Sequence, residues 1–291
     1  MTSAPAIDDA PQRWTALRWL AWSLLPLVLL GWALWVQLQP TLPAHRALFL
    51  QVNQSAQALS PALWSALTLL GDAGVLFALL SPLLLVRPQL MLAVTAAVPL
   101  GGLFSVLFKR LFDAPRPASM LDLAQFHVIG PLLNNHSFPS GHTISAFAAA
   151  AAVLASLAFT GKAPSSPSRS ANPGTLRSVV LAIGIIGLAT MVAVSRIAVG
   201  AHWPVDVLAG ASGGWLAGLS GAAVARRFVS IWQPVVSQRV MGGALLGVFA
   251  WLVRHPVDYP LGAALVWIAG ACVLATVTAQ IWVWTRTRCA S

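Results

Sequence analysis

The sequence predicts an all-α fold, a polytopic bundle of membrane-spanning helices. Three observations carry that expectation. The 291 residues are 58% hydrophobic and only 8% charged, with a mean hydropathy of +0.78, a composition outside the range of ordinary soluble domains. The apolar residues fall in long runs, and about 20 such residues cross a bilayer as a helix. Every polar interval is short enough to be a loop or a terminus, so no soluble domain is visible. Lipid offers the backbone no hydrogen-bond partners, and each run must satisfy its own N–H and C=O groups by forming a helix.

Residues 1–16 are polar, with Asp8 and Asp9, and read as a disordered cytoplasmic N-terminus. The first run, 17–36, is too long for the apolar region of a signal peptide and no small-residue cleavage site follows it, so it reads as a retained helix. Residues 37–60, with Pro40, Pro43, His45 and Arg46, form a polar connection expected to lie at the membrane surface as an amphipathic segment. The second span, 61–86, holds Gly71 and Asp72 and is closed by Arg87-Pro88; the third covers 90–108. Residues 109–140 make the largest central polar interval. The fourth, fifth and sixth spans are 142–160, 178–194 and 205–224. A loop rich in Pro, Ser and Gly, 161–177, separates the fourth from the fifth.

Two further runs follow. Residues 240–253 are short for a span and 261–284 are long enough, so they read as helices seven and eight, with a re-entrant or interfacial seventh segment as the alternative. The expected organisation is therefore a disordered terminus at 1–16, a six-helix membrane core at 17–227, and extra C-terminal membrane segments with a short basic tail at 228–291. The tail segment suggests no role in chemistry.

The formal charge of +10 does not signal nucleic-acid binding, since no basic cluster is interleaved with aromatics on a polar domain. It reflects loop charge instead. With a cytoplasmic N-terminus and eight spans, eleven of the 17 Lys and Arg residues fall inside and six outside, the direction set by the positive-inside rule. Four of the six exceptions lie in two loops considered below. Tryptophans near run ends, including Trp19, Trp203, Trp282 and Trp284, read as interface anchors. Cys272 and Cys289 would be about 25 Å apart along a helix, too far for a disulfide.

Three polar stretches open on the outer side. The first runs from Lys109 and Arg110 through Asp113 to Arg116 and Pro117. Cations at a helix end are too costly to face lipid, so they sit at the interface or face an anion. Interfacial snorkelling is the plain alternative. The second is Pro139, Ser140, Gly141 and His142 before an alanine-rich helix. A serine cap with a glycine beside it leaves backbone N–H groups at a helix start, an anion site, and places His142 where it can protonate a leaving oxygen. The plain alternative is an ordinary cap.

The third stretch, 195–206, holds Arg196, His202 and Asp206 within twelve residues. Pro204 suits a first helical turn, and His202 and Asp206, four apart, share a face. Arg196 can contact phosphate in bidentate fashion and Asp206 can fix the tautomer of His202. An ion pair at a helix end is the alternative. Two histidines and one aspartate without an acidic cluster do not suit the metals of phosphate chemistry, so neither metal nor cofactor is expected.

Together, Lys-x6-Arg-Pro, Pro-Ser-Gly-His and Ser-Arg-x5-His-x3-Asp, in this order on successive outer loops, resemble the type 2 phosphatidic acid phosphatase family. That superfamily also includes the glucose-6-phosphatases and the vanadium-dependent haloperoxidases. The resemblance covers about residues 60–225 and matches every defining motif position. It implies that His202 is the nucleophile, Asp206 its orienting carboxylate and His142 the general acid. It implies that Lys109, Arg116, Arg196, Ser140 and the Gly141 N–H bind the phosphoryl oxygens. Arg110, Asp113 and Asp72 are weaker candidates; Asp72, an acid inside a span, is expected to pair with one of the cations.

The expected activity is metal-independent hydrolysis of the phosphate or diphosphate of a membrane lipid through a phosphohistidine. The simplest placement is a bacterial inner membrane with the site facing the periplasm. Phosphoryl transfer to another lipid is the alternative within enzymology. A transporter or an inactive lipid-binding protein is the alternative outside it, although no inverted halves with interrupted helices are visible.

Overall fold

The computed structural model describes residues 10–39, 43–159, 173–228, 235–255 and 257–289. These residues form helices and connecting loops, an all-α membrane bundle as expected. In chain order the helices are α1 (Ala10–Gln37), α2 (Pro43–Ser55), α3 (Pro61–Leu70), α4 (Ala73–Leu80), α5 (Leu83–Val86), α6 (Pro88–Phe112), α7 (Pro117–Met120), α8 (Gly141–Phe159), α9 (Pro173–Ala198), α10 (Pro204–Arg227), α11 (Val235–Arg254) and α12 (Ala263–Cys289). Among the described residues six helices are long and apolar enough to cross a membrane, or seven if the bent pair α3–α4 is one span.

The centre is the trio α6, α8 and α10. Gly210, Gly214 and Gly218 recur every four residues along α10 and lie against the backbone of α8; side chains there would meet Ser140 O, Ile144 O and Ala148 O. Small residues let two backbones approach where lipid provides no hydrophobic drive, so dispersion and weak polar contacts hold the pair. A second small-residue face of α10, including Gly221, rests on Ala93 and Ala97 of α6. α1 joins the trio through Trp215, whose indole donates to Trp22 O at 3.1 Å. The outer faces of α1, α9 and α12 leave Leu24, Ile183 and Trp267 exposed, as lipid-facing surfaces do.

Several elements differ from the sequence expectation. The span 61–86 is broken: α3 and α4 meet at 73°. Ser60 and Asp72 cap the two pieces, accepting hydrogen bonds from Leu63 N and Val75 N. Asp72 therefore serves as a helix cap, and among the described residues no salt bridge joins it to a cation. Helix α1 starts at Ala10, so residues 10–16 are helical; residues 1–9 lie outside the described ones. Of the loop expected at 161–177, residues 161–172 also lie outside them, and Pro173 already begins α9.

The seventh helix is longer than its apolar stretch of 240–253. α11 has 20 residues, about 30 Å of helix. It finishes at Arg254, and the connection that follows carries Tyr259, whose hydroxyl meets Arg196. Met241, Leu245 and Leu252 of α11 and Ala269 and Val273 of α12 form one core with Val75, Ala78, Leu84 and Met91. The C-terminal helices thus pack against α4, α5 and α6.

Candidate active site

The site is assembled where α6 and α9 end and α8 and α10 begin. The α9–α10 turn positions its centre. At the end of α9 the Arg196 carbonyl accepts from Ala201 N at 3.1 Å and from His202 N at 3.2 Å. Gly200 takes φ +76, a left-handed conformation that glycine adopts without a steric penalty, and the chain reverses there. Asn53 of α2, fully buried, locks the turn from outside. Its amide donates to His127 O, Ile197 O and Ala198 O at 3.0, 3.1 and 3.1 Å, and its Oδ1 accepts from His127 N at 2.8 Å. The bonds to Ile197 O and Ala198 O cap the last turn of α9, and those with His127 tie α2 to the loop beside it. Trp203 donates from Nε1 to Pro115 O at 2.9 Å, and its ring lies tilted against those of Phe49 and His45.

Asp206 lies at the third position of α10. Its Oδ2 accepts from the Trp203 N–H at 2.8 Å, reaching back to the residue before the helix. The same oxygen accepts from the Ser137 hydroxyl and lies 3.4 Å from His202 Nδ1. That last separation suits an ion pair or a Nδ1–H pointing at a carboxylate, but its geometry falls short of a hydrogen bond. His202 and Asp206 are 2% and 0% exposed at the side chain.

On the other edge of the ring, His202 Nε2 lies 3.2 Å from Arg116 Nη1. A guanidinium only donates, so Nε2 is the unprotonated nitrogen and Nδ1 carries the proton, facing Asp206. Arg116 also donates to Asn135 O at 2.8 Å, Ala201 O at 2.9 Å and His136 O at 3.4 Å. It therefore ties the 113–140 loop to the α9–α10 turn while bearing on the imidazole. Burial, then the charges of Arg116, Arg196 and Lys109 and the nearby His142, hold His202 well below the ordinary imidazole pKa. It is neutral at pH 7.

Helix α8 supplies the facing wall. Ile144 N–H begins the helical ladder on Ser140 O at 3.0 Å, so the N–H groups of Gly141, His142 and Thr143 precede its first bond. The Ser140 hydroxyl, fully buried, accepts from Thr143 Oγ1 at 3.0 Å rather than from the backbone. Ser140 N–H donates to Asp206 O at 3.0 Å, joining the starts of α8 and α10. A Cβ at Gly141 would lie 3.8 Å from Lys109 Nζ and 3.7 Å from Ser105 Oγ, so the ammonium sits over the helix start.

Arg196 completes the ring of cations. It is 2% exposed and donates from Nη1 to Tyr259 Oη at 2.9 Å. Its Nε is buried without a hydrogen-bond partner, as are His202 Nδ1 and Asp206 Oδ1. Orphaned groups of this kind cost about 1–3 kcal/mol each, and native structures keep them chiefly where they serve a function.

The structure thus brings together Lys109, Arg116, Ser140, Gly141, His142, Arg196, His202 and Asp206. It leaves Arg110 exposed at the end of α6 and pairs Asp113 with His136 at 3.0 Å on the surface. Ser137, Asn53, Ser105 and Tyr259 were not foreseen. Ser137 lies two residues before a motif, but single polar residues far along the chain carry no signal of a partner.

A cavity of about 320 Å³ starts at Ser105, Gly141 and His142 and runs between α4, α6 and α8 past Leu76, Val98 and Ile144. A second, of about 170 Å³, lies between His142, Asp72 and the α11–α12 connection.

An all-helical integral membrane protein with a neutral, buried histidine ringed by cations at one end of its bundle is the class that fold and site define. Residues 90–230 match the model of the PAP2 superfamily. That match spans just under half of the chain and includes all three motifs, in agreement with the resemblance they carry. No curated protein matches it. Among solved structures it is similar to LpxE of Aquifex aeolicus, with 26% identity, 61% of this chain and 93% of that one covered, and a TM-score of 0.48. It is also similar to a transmembrane PAP2-type phosphatidylglycerolphosphate phosphatase of Bacillus subtilis, with 19% identity, 69% and 96% coverage and a TM-score of 0.49.

Proposed function

We propose that the chain hydrolyses the phosphate or diphosphate of a membrane lipid, without a metal, through a phosphohistidine on His202. One observation carries this reading. Lys109, Arg116 and Arg196 converge on the His202 site, where Asp206 is the carboxylate against the imidazole, and among the described residues no salt bridge neutralises any of the three. Buried positive charge in such excess is costly unless an anion shares the site. A phosphoryl group carries the charge and the geometry that guanidinium forks match.

The chemistry follows from the tautomer. The Nε2 lone pair attacks phosphorus as the P–O bond to the leaving group breaks, while Asp206 supports the charge growing on the ring. His142 gives a proton to the departing oxygen. Now neutral, it takes a proton from water, whose oxygen attacks phosphorus; the P–N bond breaks and inorganic phosphate leaves. The cations stabilise charge on the equatorial oxygens in the loose transition state. Phosphate must displace Arg116 from Nε2, which a bidentate contact to the incoming anion makes favourable.

The apolar cavity that begins at His142 supports a lipid substrate, since it extends away from the cations along apolar helix faces. Phosphatidic acid, phosphatidylglycerol phosphate, polyprenyl diphosphates and lipid A phosphates all share that chemistry. The test is phosphate release by purified protein in EDTA from this panel, with vanadate inhibiting. Turnover surviving in His202→Ala refutes the mechanism, and product analysis with an acceptor lipid separates hydrolysis from transfer. We further propose an inner-membrane location with a periplasmic site. Alkaline phosphatase fusions after residues 120 and 260 are then active and a fusion after 168 is silent.

A further inference from the structure

The segment beyond the family match ends in a contact with the site. Tyr259, in the connection between α11 and α12, is 2% exposed and is the only tyrosine in the chain. It lies outside the matched residues 90–230. Its hydroxyl accepts from Arg196 Nη1 at 2.9 Å, and the guanidinium carbon lies 5.6 Å from its ring centroid, within cation–π range.

The seat of this ring is built from several directions. Gly130, on the loop after α7, adopts φ +86, and a Cβ there would lie 2.6 Å from Tyr259 Cε1. Tyr259 O accepts from Gly262 N at 2.9 Å, closing the turn Pro260–Gly262. The ring packs with Trp64 and Leu69 of α3 and with Ala198, Val199 and Ala201 around the α9–α10 turn. The packing of α11 and α12 against α4–α6 fixes the connection that carries it.

A neutral hydroxyl suits the task. Arg196 stands among other cations, which repel it, and a free arginine side chain has many rotamers to lose. A carboxylate would hold the guanidinium and also cancel its charge. A phenol holds it through one donor and leaves the charge intact, along with the remaining donors, the buried Nε among them.

We propose that Tyr259 is a positioning residue for Arg196, so that the two C-terminal helices complete the phosphate site. This rests on the reading above that Arg196 binds the phosphoryl group. The experiment uses full-length protein in detergent, with inorganic orthovanadate as the anion probe and a short-chain phosphatidic acid as substrate. Tyr259→Phe keeps the ring packing and removes the hydroxyl. It should weaken vanadate inhibition and lower kcat/KM by about tenfold, the scale of one hydrogen bond to a charged group, with an unchanged melting temperature. Arg196→Ala should lose about a hundredfold, and adding Tyr259→Phe to it should cost nothing more.

If Arg196→Ala weakens vanadate and Tyr259→Phe does not, or if their losses simply add, the positioning role is wrong and the phosphatase reading stands. If Arg196→Ala leaves vanadate binding unchanged, the phosphate cradle itself is wrong. A second measurement needs no substitution. Fluorotyrosine labelling marks Tyr259 alone, and its single 19F resonance should shift on adding vanadate and should not shift in Arg196→Ala. A resonance indifferent to vanadate in the wild-type protein overturns the proposal.

Discussion

His202 Nδ1 faces Asp206 Oδ2 at 3.4 Å across the first turn of α10, while Arg116 Nη1 stands 3.2 Å from Nε2 on the opposite edge of the ring. The carboxylate oxygen is itself held by the Ser137 hydroxyl and the Trp203 N–H. The imidazole is therefore oriented by a group that cannot swing away. Asp206→Asn should keep the fold and lower kcat by about 10²–10⁴-fold, the usual worth of a positioned acid–base partner, with little change in KM. A kcat within threefold of wild type would show that Asp206 does not support the nucleophile.

The depressed pKa of His202 sets the acid side of the pH profile. Protonated imidazole cannot attack phosphorus, and burial and the nearby cations keep the proton off below the ordinary value of 6.5. kcat/KM should thus stay level as pH falls through 6.5 and decline only further down. The sign for stability is opposite to that of a paired histidine. The unfolded chain takes up the proton near pH 6.5 while the folded site does not, so stability should fall below that pH by at most about 1.4 kcal/mol per unit for this group. Acid titration of the melting temperature beside the rate profile checks both statements.

Arg116 has two tasks, and Arg116→Lys should separate them. Lysine keeps the charge but lacks the planar fork that reaches Asn135 O, Ala201 O and His136 O. Losing hydrogen bonds from a buried charged group costs about 1.5–3 kcal/mol each at most. The expected outcome is a lower melting temperature together with a rise in KM of about tenfold. A variant as stable as wild type would mean that the loop is held by other contacts.

The cavity beside His142 predicts a dependence on chain length. Gly102 lines it and has open space around the position of a Cβ, so Gly102→Leu fills the volume without a clash. KM should rise severalfold for long-chain lipid phosphates and stay constant for a water-soluble phosphate monoester. Equal effects on both substrates would place the lipid chain elsewhere.

Asn53 tests the outer lock of the site. Asn53→Leu removes four hydrogen bonds and takes their partner from the Ala198 carbonyl and from both backbone groups of His127, while Ile197 O keeps its bond from Gly200 N. A stability loss of about 2–4 kcal/mol is expected, seen as a lower melting temperature, with kcat falling as the α9–α10 turn loosens.

Much of this was legible in one dimension. Lipid enforces helices wherever some 20 apolar residues run together, so the bundle could be read from composition. The motif residues were readable because charge in a membrane segment is too costly to be incidental; Lys109, Arg116, Arg196, His142, His202 and Asp206 stand out against an apolar chain for that reason. The break at Gly71 and Asp72 was less visible, because an Asp cap and an acid seeking a cation look alike until the helix geometry is known.

The sequence by itself therefore determined the class of fold and singled out the polar residues that gather at one end of the bundle. Tertiary structure alone decided their partners: Ser137 and Trp203 on Asp206, Arg116 on Nε2, Asn53 on the end of α9, and Tyr259 on Arg196. Tyr259 and Arg196 are 63 residues apart, and no periodicity links them. Their contact depends on α11 and α12 packing against α4–α6, a question of shape and of how closely small residues let backbones approach, and no pattern of polarity along the chain encodes it.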